Sequence, residues 1–268
     1  SSDLFPPMAR LAEQPLAAAE DTGRVMAREL SALGFNVDYA PVLDIHTNPE
    51  NPVIGDRAFG TTPEAASSRA LAFLRGLEAA GTVRGCGKHF PGHGDTATDS
   101  HHTLPVVNHD EARLRSVELA PFAAAVRAGI GMIMTAHVVY PALDRRPATL
   151  SRRWLHDILR GEMGFDGVIL SDDMDMRALG SEQLKKLFGH ADEGQLVVES
   201  LLAGCDGFLL CRDVERQTRA EEALRRAAAE RSEVRARLHE AAARLRRFRA
   251  TLRRPQIDRD FVEKLPRP

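Results

Sequence analysis

Cysteine is scarce in this 268-residue chain: there are three, Cys86, Cys205 and Cys211. An odd count without paired spacing argues against a disulfide framework and fits a reducing compartment. Cys86 and Cys211 lie in apolar, strand-like runs, which predicts buried small hydrophobes. An excess of one charge is also lacking: 36 Lys and Arg stand against 38 Asp and Glu, a formal net charge of -2. The basic residues gather near the C-terminus rather than along a groove, so no nucleic-acid partner is expected. No apolar run approaches the roughly 20 residues of a membrane helix, so no membrane partner is expected. The opening stretch, SSDLFPPMARLAEQP, has no basic start followed by an apolar run, which predicts no signal peptide. Short-period repeats and low-complexity linkers are missing too. A second domain is not required, and residues 1–268 read as a single domain.

What is present is an alternation. PLAAAEDTGRVMARELSALG reads as an amphipathic helix stopped at Gly34, and FNVDYAPVLDI as a strand running into a loop. TPEAASSRALAFLRGLEAAG is a helix with Thr62 as N-cap and Pro63 behind it. TVRGCGKHF is the next strand. NHDEARLRSVELAPFAAAVRAG is a helix opened by Asn108 or Asp110, with a kink near Pro121. IGMIMTAHV, GVILSDDM and GFLLCR are further strands, separated by the helical SRRWLHDILRGEMG and a helical segment near 182–204. Strands joined by helices of this length imply parallel βαβ units and an α/β fold. From about 214 the chain turns Ala-, Arg-, Glu- and Leu-rich, which predicts two helices broken near Ser232 with solvated charged faces.

Polar residues recur just after the strands: Asp44, Lys88 and His89, His137, and Asp172 with Asp173. Parallel α/β folds bring C-terminal strand ends to one face, so these residues converge on one pocket. The stretch KHFPGHGDTATDSHH, residues 88–102, adds a loop with histidines and aspartates. Its spacing matches none of the usual zinc patterns, and neither a metal nor another cofactor is expected. The plainer reading of His93, His102 and His109 is that they cap turns and bond backbone carbonyls. Asp99, two residues before His101, is placed to orient an imidazole and raise its basicity. In SDDMDM, Asp173 or Asp175 can cap the following helix, whereas Asp172 ends the apolar strand and faces the shared pocket. A carboxylate opposite a proton-transferring imidazole supplies a nucleophile and an acid/base, a pairing suited to glycosyl transfer.

KHFPGHGDTATDSHHTLP, GFDGVILSDDMDM, APVLDI with GDRAFG, and IMTAHVVYPALDRRPATLS together resemble the family 3 glycoside hydrolases that act as β-N-acetylglucosaminidases. The resemblance runs over most of residues 15–212 in the family's order. It implies a (β/α)8 TIM-barrel-like catalytic domain, incomplete here at its N-terminus, because the family's initial strands and its D-x-E-G-G-R-V-x-R loop are not found. It implies Asp172 as nucleophile, His101 as acid/base and Asp99 as its partner. Arg57, Lys88 and His89 would hold sugar hydroxyls, a role for which charged donors are well suited. The implied reaction is retaining release of terminal β-linked N-acetylglucosamine from muropeptides bearing 1,6-anhydro-muramic acid, in cytoplasmic cell-wall recycling. Two rival readings are a catalytically impaired or sugar-binding domain of the same family and a metallohydrolase built on the His/Asp loop. A phosphorolytic variant also uses histidine, so the sequence leaves it open.

Overall fold

A computed structural model describes residues 5–98, 104–180, 184, 186, 192–254 and 257–263. In chain order the elements are α1 (Met8–Leu11), α2 (Leu16–Ala32), β1 (Val37–Asp38), α3 (Pro63–Glu78), β2 (Arg84–Gly85), β3 (Gly87–Phe90), α4 (Glu111–Ser116) and α5 (Ala120–Arg127). There follow β4 (Met132–Thr135), β5 (Val139–Tyr140), β6 (Asp144–Pro147), α6 (Arg153–Glu162), β7 (Val168–Asp173), α7 (Glu193–Ala203), β8 (Gly207–Leu209), α8 (Val214–Glu230), α9 (Ser232–Thr251) and α10 (Arg259–Glu263).

The strands form a parallel series in sequence order. β1 pairs with β2, a bridge joins Val42 to Lys88, and β3, β4, β7 and β8 form one four-stranded sheet. The five strands expected from the sequence are therefore all present, and helices connect them as the alternation requires. This is the TIM-barrel-like α/β arrangement; among the described residues no closed barrel forms. The β5–β6 hairpin is antiparallel and stands apart from this sheet.

Alternation along the strands gives the sheet two different faces. Ile133 and Ile169 face outward into the main core, with Phe73, Leu77, Phe122, Trp154 and Ile158 from α3, α5 and α6. Cys86, Met132, Met134, Val168 and Leu170 face inward, where Phe248 of α9 packs on them. In β7 the inward column Val168, Leu170 continues to Asp172, so the same two-residue period that buries the apolar pair aims a carboxylate at the strand end.

Helix packing follows from local chemistry. Thr62 Oγ1 accepts from Ala65 N at 3.3 Å and caps α3, with Pro63 at its first position. At Gly76 a Cβ would lie 1.9 Å from the Glu20 carbonyl oxygen, so only glycine lets α3 lie this close to α2. The 108–129 segment is two helices rather than one kinked helix. Pro121 has no N–H, and its ring would crowd the carbonyl of Val117, so α4 ends at Ser116 and α5 restarts at Ala120. Asp110, not Asn108, caps α4, accepting from Arg113 N at 2.8 Å. The 153–162 helix is wound with π-type hydrogen bonds, such as Met163 N to Ile158 O, and keeps Trp154, Leu155, Ile158 and Leu159 buried on one side.

One expectation fails. Cys86 and Cys205 are buried, but Cys211 is exposed, because β8 ends at Leu209 and the chain turns outward there.

Candidate functional site

The C-terminal strand ends carry the polar residues the sequence places there. Asp172 Oδ1 accepts from Asp173 N at 2.8 Å. Burial alone would raise its carboxyl. The imidazole of His89 leads the opposing influences, followed by His137 and the Asp173 N–H, and the carboxyl ends below its usual range. Asp172 is thus an anion at neutral pH, the form a carboxylate nucleophile needs.

His89 is buried at the end of β3, and its Nδ1 lies 2.7 Å from Asp44 Oδ2. Asp44 is 1% exposed and also accepts from His93 N at 2.6 Å and from His89 N at 3.2 Å. Burial pushes the Asp44 carboxyl up, but these partners outweigh it and hold it below its ordinary value. Gly94 lets the 89–94 turn sit against the chain just beyond β1, since a Cβ there would lie 1.7 Å from Ile45 O. His93 is buried, its Nδ1 2.8 Å from Thr96 Oγ1; burial, reinforced by His89, lowers it to about 4. The Lys88–His89 and Phe90–Pro91 peptide bonds are both cis.

His137 follows β4 and is fully buried. Its Nε2 lies 3.1 Å from the Asp173 carbonyl oxygen and its Nδ1 2.8 Å from Thr149 Oγ1. A carbonyl only accepts, so Nε2 carries the proton. Burial lowers the His137 pKa, against the pull of Asp172, so a neutral ring braces the strand end beside Asp172.

Lys88 and Arg57 share a cavity of about 450 Å³, with Asp38, Tyr39 and Pro41 also in its wall. Arg57 Nη1 donates to Val53 O at 3.0 Å, which ties its guanidinium to the loop one turn back. Burial, and after it Arg57, draws the Lys88 ammonium below its usual pKa, while Asp172 opposes the shift. Asp172 does not line this cavity; Lys88 connects the two, because it lines the wall and feels the Asp172 carboxylate. Burial, partly opposed by Lys88, raises the Asp38 carboxyl. The wall is largely apolar, with Phe59, Phe73 and Met26. It sets the two cations Lys88 and Arg57 beside the carboxylates of Asp38 and Asp56, a mixture that suits a small ligand with both an apolar face and hydroxyls.

The structure therefore brings Lys88, Arg57, His89 and Asp172 to one end of the sheet. Asp99, His101 and His102 lie outside the described residues. Asp173 caps its own turn, accepting from Asp175 N at 3.1 Å and Cys211 N at 3.2 Å, whereas Asp175 meets Arg216 at 2.9 Å. His109 pairs with the Asp95 carboxylate, and the His93 ring meets the Thr96 hydroxyl. Asp44 and His137 are visible in sequence as strand-end polar residues, but no local signal assigns them partners. Among the described residues no group of three His, Cys, Asp or Glu side chains could hold a metal ion.

Residues 1–248 match the profile of the glycosyl hydrolase family 3 N-terminal domain. The chain belongs to this family. A β-hexosaminidase of Chromobacterium violaceum is 44% identical over 218 residues, 79% of this chain and 58% of the relative. A family 3 β-N-acetylglucosaminidase from Paenibacillus superposes with a TM-score of 0.80 at 39% identity, over 91% of this chain and 46% of that one. NagZ from Neisseria gonorrhoeae, solved in complex with N-trifluoroacetyl-D-glucosamine, superposes with a TM-score of 0.75 at 33% identity, over 97% of this chain and 70% of that one. The chain thus spans about half to two-thirds of the length of these family 3 proteins.

Proposed function

We propose that this domain works in a retaining exo-β-N-acetylglucosaminidase. One observation carries the reading: Asp172, at the inner end of β7, is held ionised beside His89 and His137, next to a cavity whose wall includes Lys88 and Arg57. Family membership and relatives named as β-hexosaminidases support it. Lys88, His89 and Arg57 bind the terminal sugar. An Asp172 oxygen attacks the anomeric carbon while the glycosidic C–O bond breaks, and His101, oriented by Asp99, protonates the departing oxygen. In the second step water attacks the glycosyl–Asp172 ester, His101 takes its proton, and Asp172 leaves as a carboxylate. Two displacements retain the anomeric configuration. A histidine acid/base adds no second negative charge beside Asp172, and its ordinary pKa near 6.5 suits transfer in both directions. The substrate class is a terminal β-linked N-acetylglucosamine, on 1,6-anhydro-muramic acid muropeptides in cytoplasmic cell-wall recycling.

An aryl β-N-acetylglucosaminide tests the reaction. The parent chain is expected to release the phenol, and Asp172→Ala to lose release by at least about 10³-fold, since the nucleophile itself is gone. Folded parent chain without turnover would refute activity in this domain. Turnover retained in Asp172→Ala would refute the assignment of the nucleophile.

A further inference from the structure

Asp44 does not line the cavity, yet donors from a single turn, residues 89–93, converge on its carboxylate. It is 1% exposed, and it meets His93 N at 2.6 Å, His89 Nδ1 at 2.7 Å and His89 N at 3.2 Å to each oxygen. Two of these donors are backbone groups and only need an acceptor. The third is a ring nitrogen, and it needs a particular acceptor. A carboxylate cannot donate, so the His89 nitrogen that faces it must carry the proton. Nε2 is then the ring's remaining nitrogen; His89, like Asp172, is not in the wall of the cavity.

We propose that Asp44 is a positioning residue that fixes the ring and the proton of His89, so that Nε2 meets the substrate in one defined form. The proposal rests on the sugar-binding role given to His89 above. The logic is that of a carboxylate behind any working imidazole: it sets the rotamer, and it sets which nitrogen is available. A purely structural Asp44 would hold the 89–93 turn through the two backbone N–H groups and be indifferent to the ring.

Asp44→Asn separates the two roles. The amide oxygen that this substitution introduces can still accept from the backbone N–H groups, so the turn is kept. The accompanying NH2 group can only donate to the ring, which moves the His89 proton to Nε2. Three measurements follow. In the 15N-histidine spectrum of the parent, with His89 assigned by its loss in His89→Gln, Nδ1 is expected to be protonated; in Asp44→Asn it is expected to lose that proton. With an aryl β-N-acetylglucosaminide, Asp44→Asn is expected to lower kcat/KM about 10- to 100-fold with an unchanged melting temperature. In a His89→Gln background the same substitution is expected to cost nothing further, because a residue acting through His89 has nothing left to act through.

An unprotonated Nδ1 in the parent spectrum overturns the proposal, and this reading needs no variant at position 44 to fold. Equal losses from Asp44→Asn in both backgrounds also overturn it and leave Asp44 as a brace for the turn. A parent chain that hydrolyses nothing refutes the proposed function, while its histidine spectrum still decides the role of Asp44.

Discussion

His93 shows what burial does to a single side chain. Its imidazole is enclosed and titrates at about 4, against an unfolded value near 6.5. Between these values the unfolded chain binds a proton that the folded chain refuses. Stability is therefore complete above pH 6.5 and falls as the pH drops toward 4, by roughly 3 kcal/mol for this group alone. Urea titrations from pH 7 to 4 are expected to show this slope, and His93→Gln to flatten it by about one proton. Asp44, depressed below its ordinary carboxyl range, adds a further loss only at lower pH, below the window in which His93 acts. The sequence displays Asp172, Lys88 and His89 because each follows an apolar strand, and strand-end position is a local signal. Asp44's partnership is not legible there: its partner lies 45 residues away, and only the pairing of neighbouring strands brings them together. Cys211 escapes the expected burial because an apolar run looks the same whether the strand continues or ends at Leu209.

Among the elements, helices and strands are legible wherever one period dominates. The exceptions are local: Pro121 splits what hydrophobic spacing presents as one helix, and π winding in α6 preserves the apolar side that an α-helical reading expects. The joint least visible in sequence is Asp206, just before β8. This buried carboxylate meets Arg160 at 2.5 Å and Arg237 at 2.7 Å, with Arg244 at 3.3 Å, tying α6 and α9 to the N-terminal edge of the sheet. Burial, with Arg244 and Arg237 nearby and against the attraction of Asp206, draws Arg160 down to about 10. Asp206→Ala removes the buried carboxylate that three guanidinium groups share, leaving them backbone carbonyls and surface carboxylates, so a loss of about 3 kcal/mol is expected in urea denaturation. Asp166, 79% exposed and paired with Arg247, is the contrast: Asp166→Ala is expected to change stability by less than about 1 kcal/mol.

At the scale of the whole molecule, the strands form a sheet with unequal ends. The polar side chains Asp44, His89, His137 and Asp172 gather at the C-terminal strand ends, where α/β barrels generally carry their sites, and the opposite end carries ion pairs and the apolar side chains of α9. Phe248 is 8% exposed and lies against Cys86, Met132, Met134, Val168 and Leu170, with Leu245 and Leu252 beside it. Phe248→Ala removes this contact, and an increased urea sensitivity equivalent to about 3 kcal/mol is expected. The α/β class and the shared face of the site follow from alternation alone. That the C-terminal helix would cover the inner face does not: its Ala/Arg/Glu pattern describes a solvated surface, and a few apolar residues within it carry no address.

The placement of Phe248 also limits what can stand beside it. Its ring lies against Gly131, just before β4, where a Cβ would come within 3.0 Å of it. The helix that covers the inner face is therefore seated on bare backbone, and any side chain at position 131 would have to displace that ring to fit.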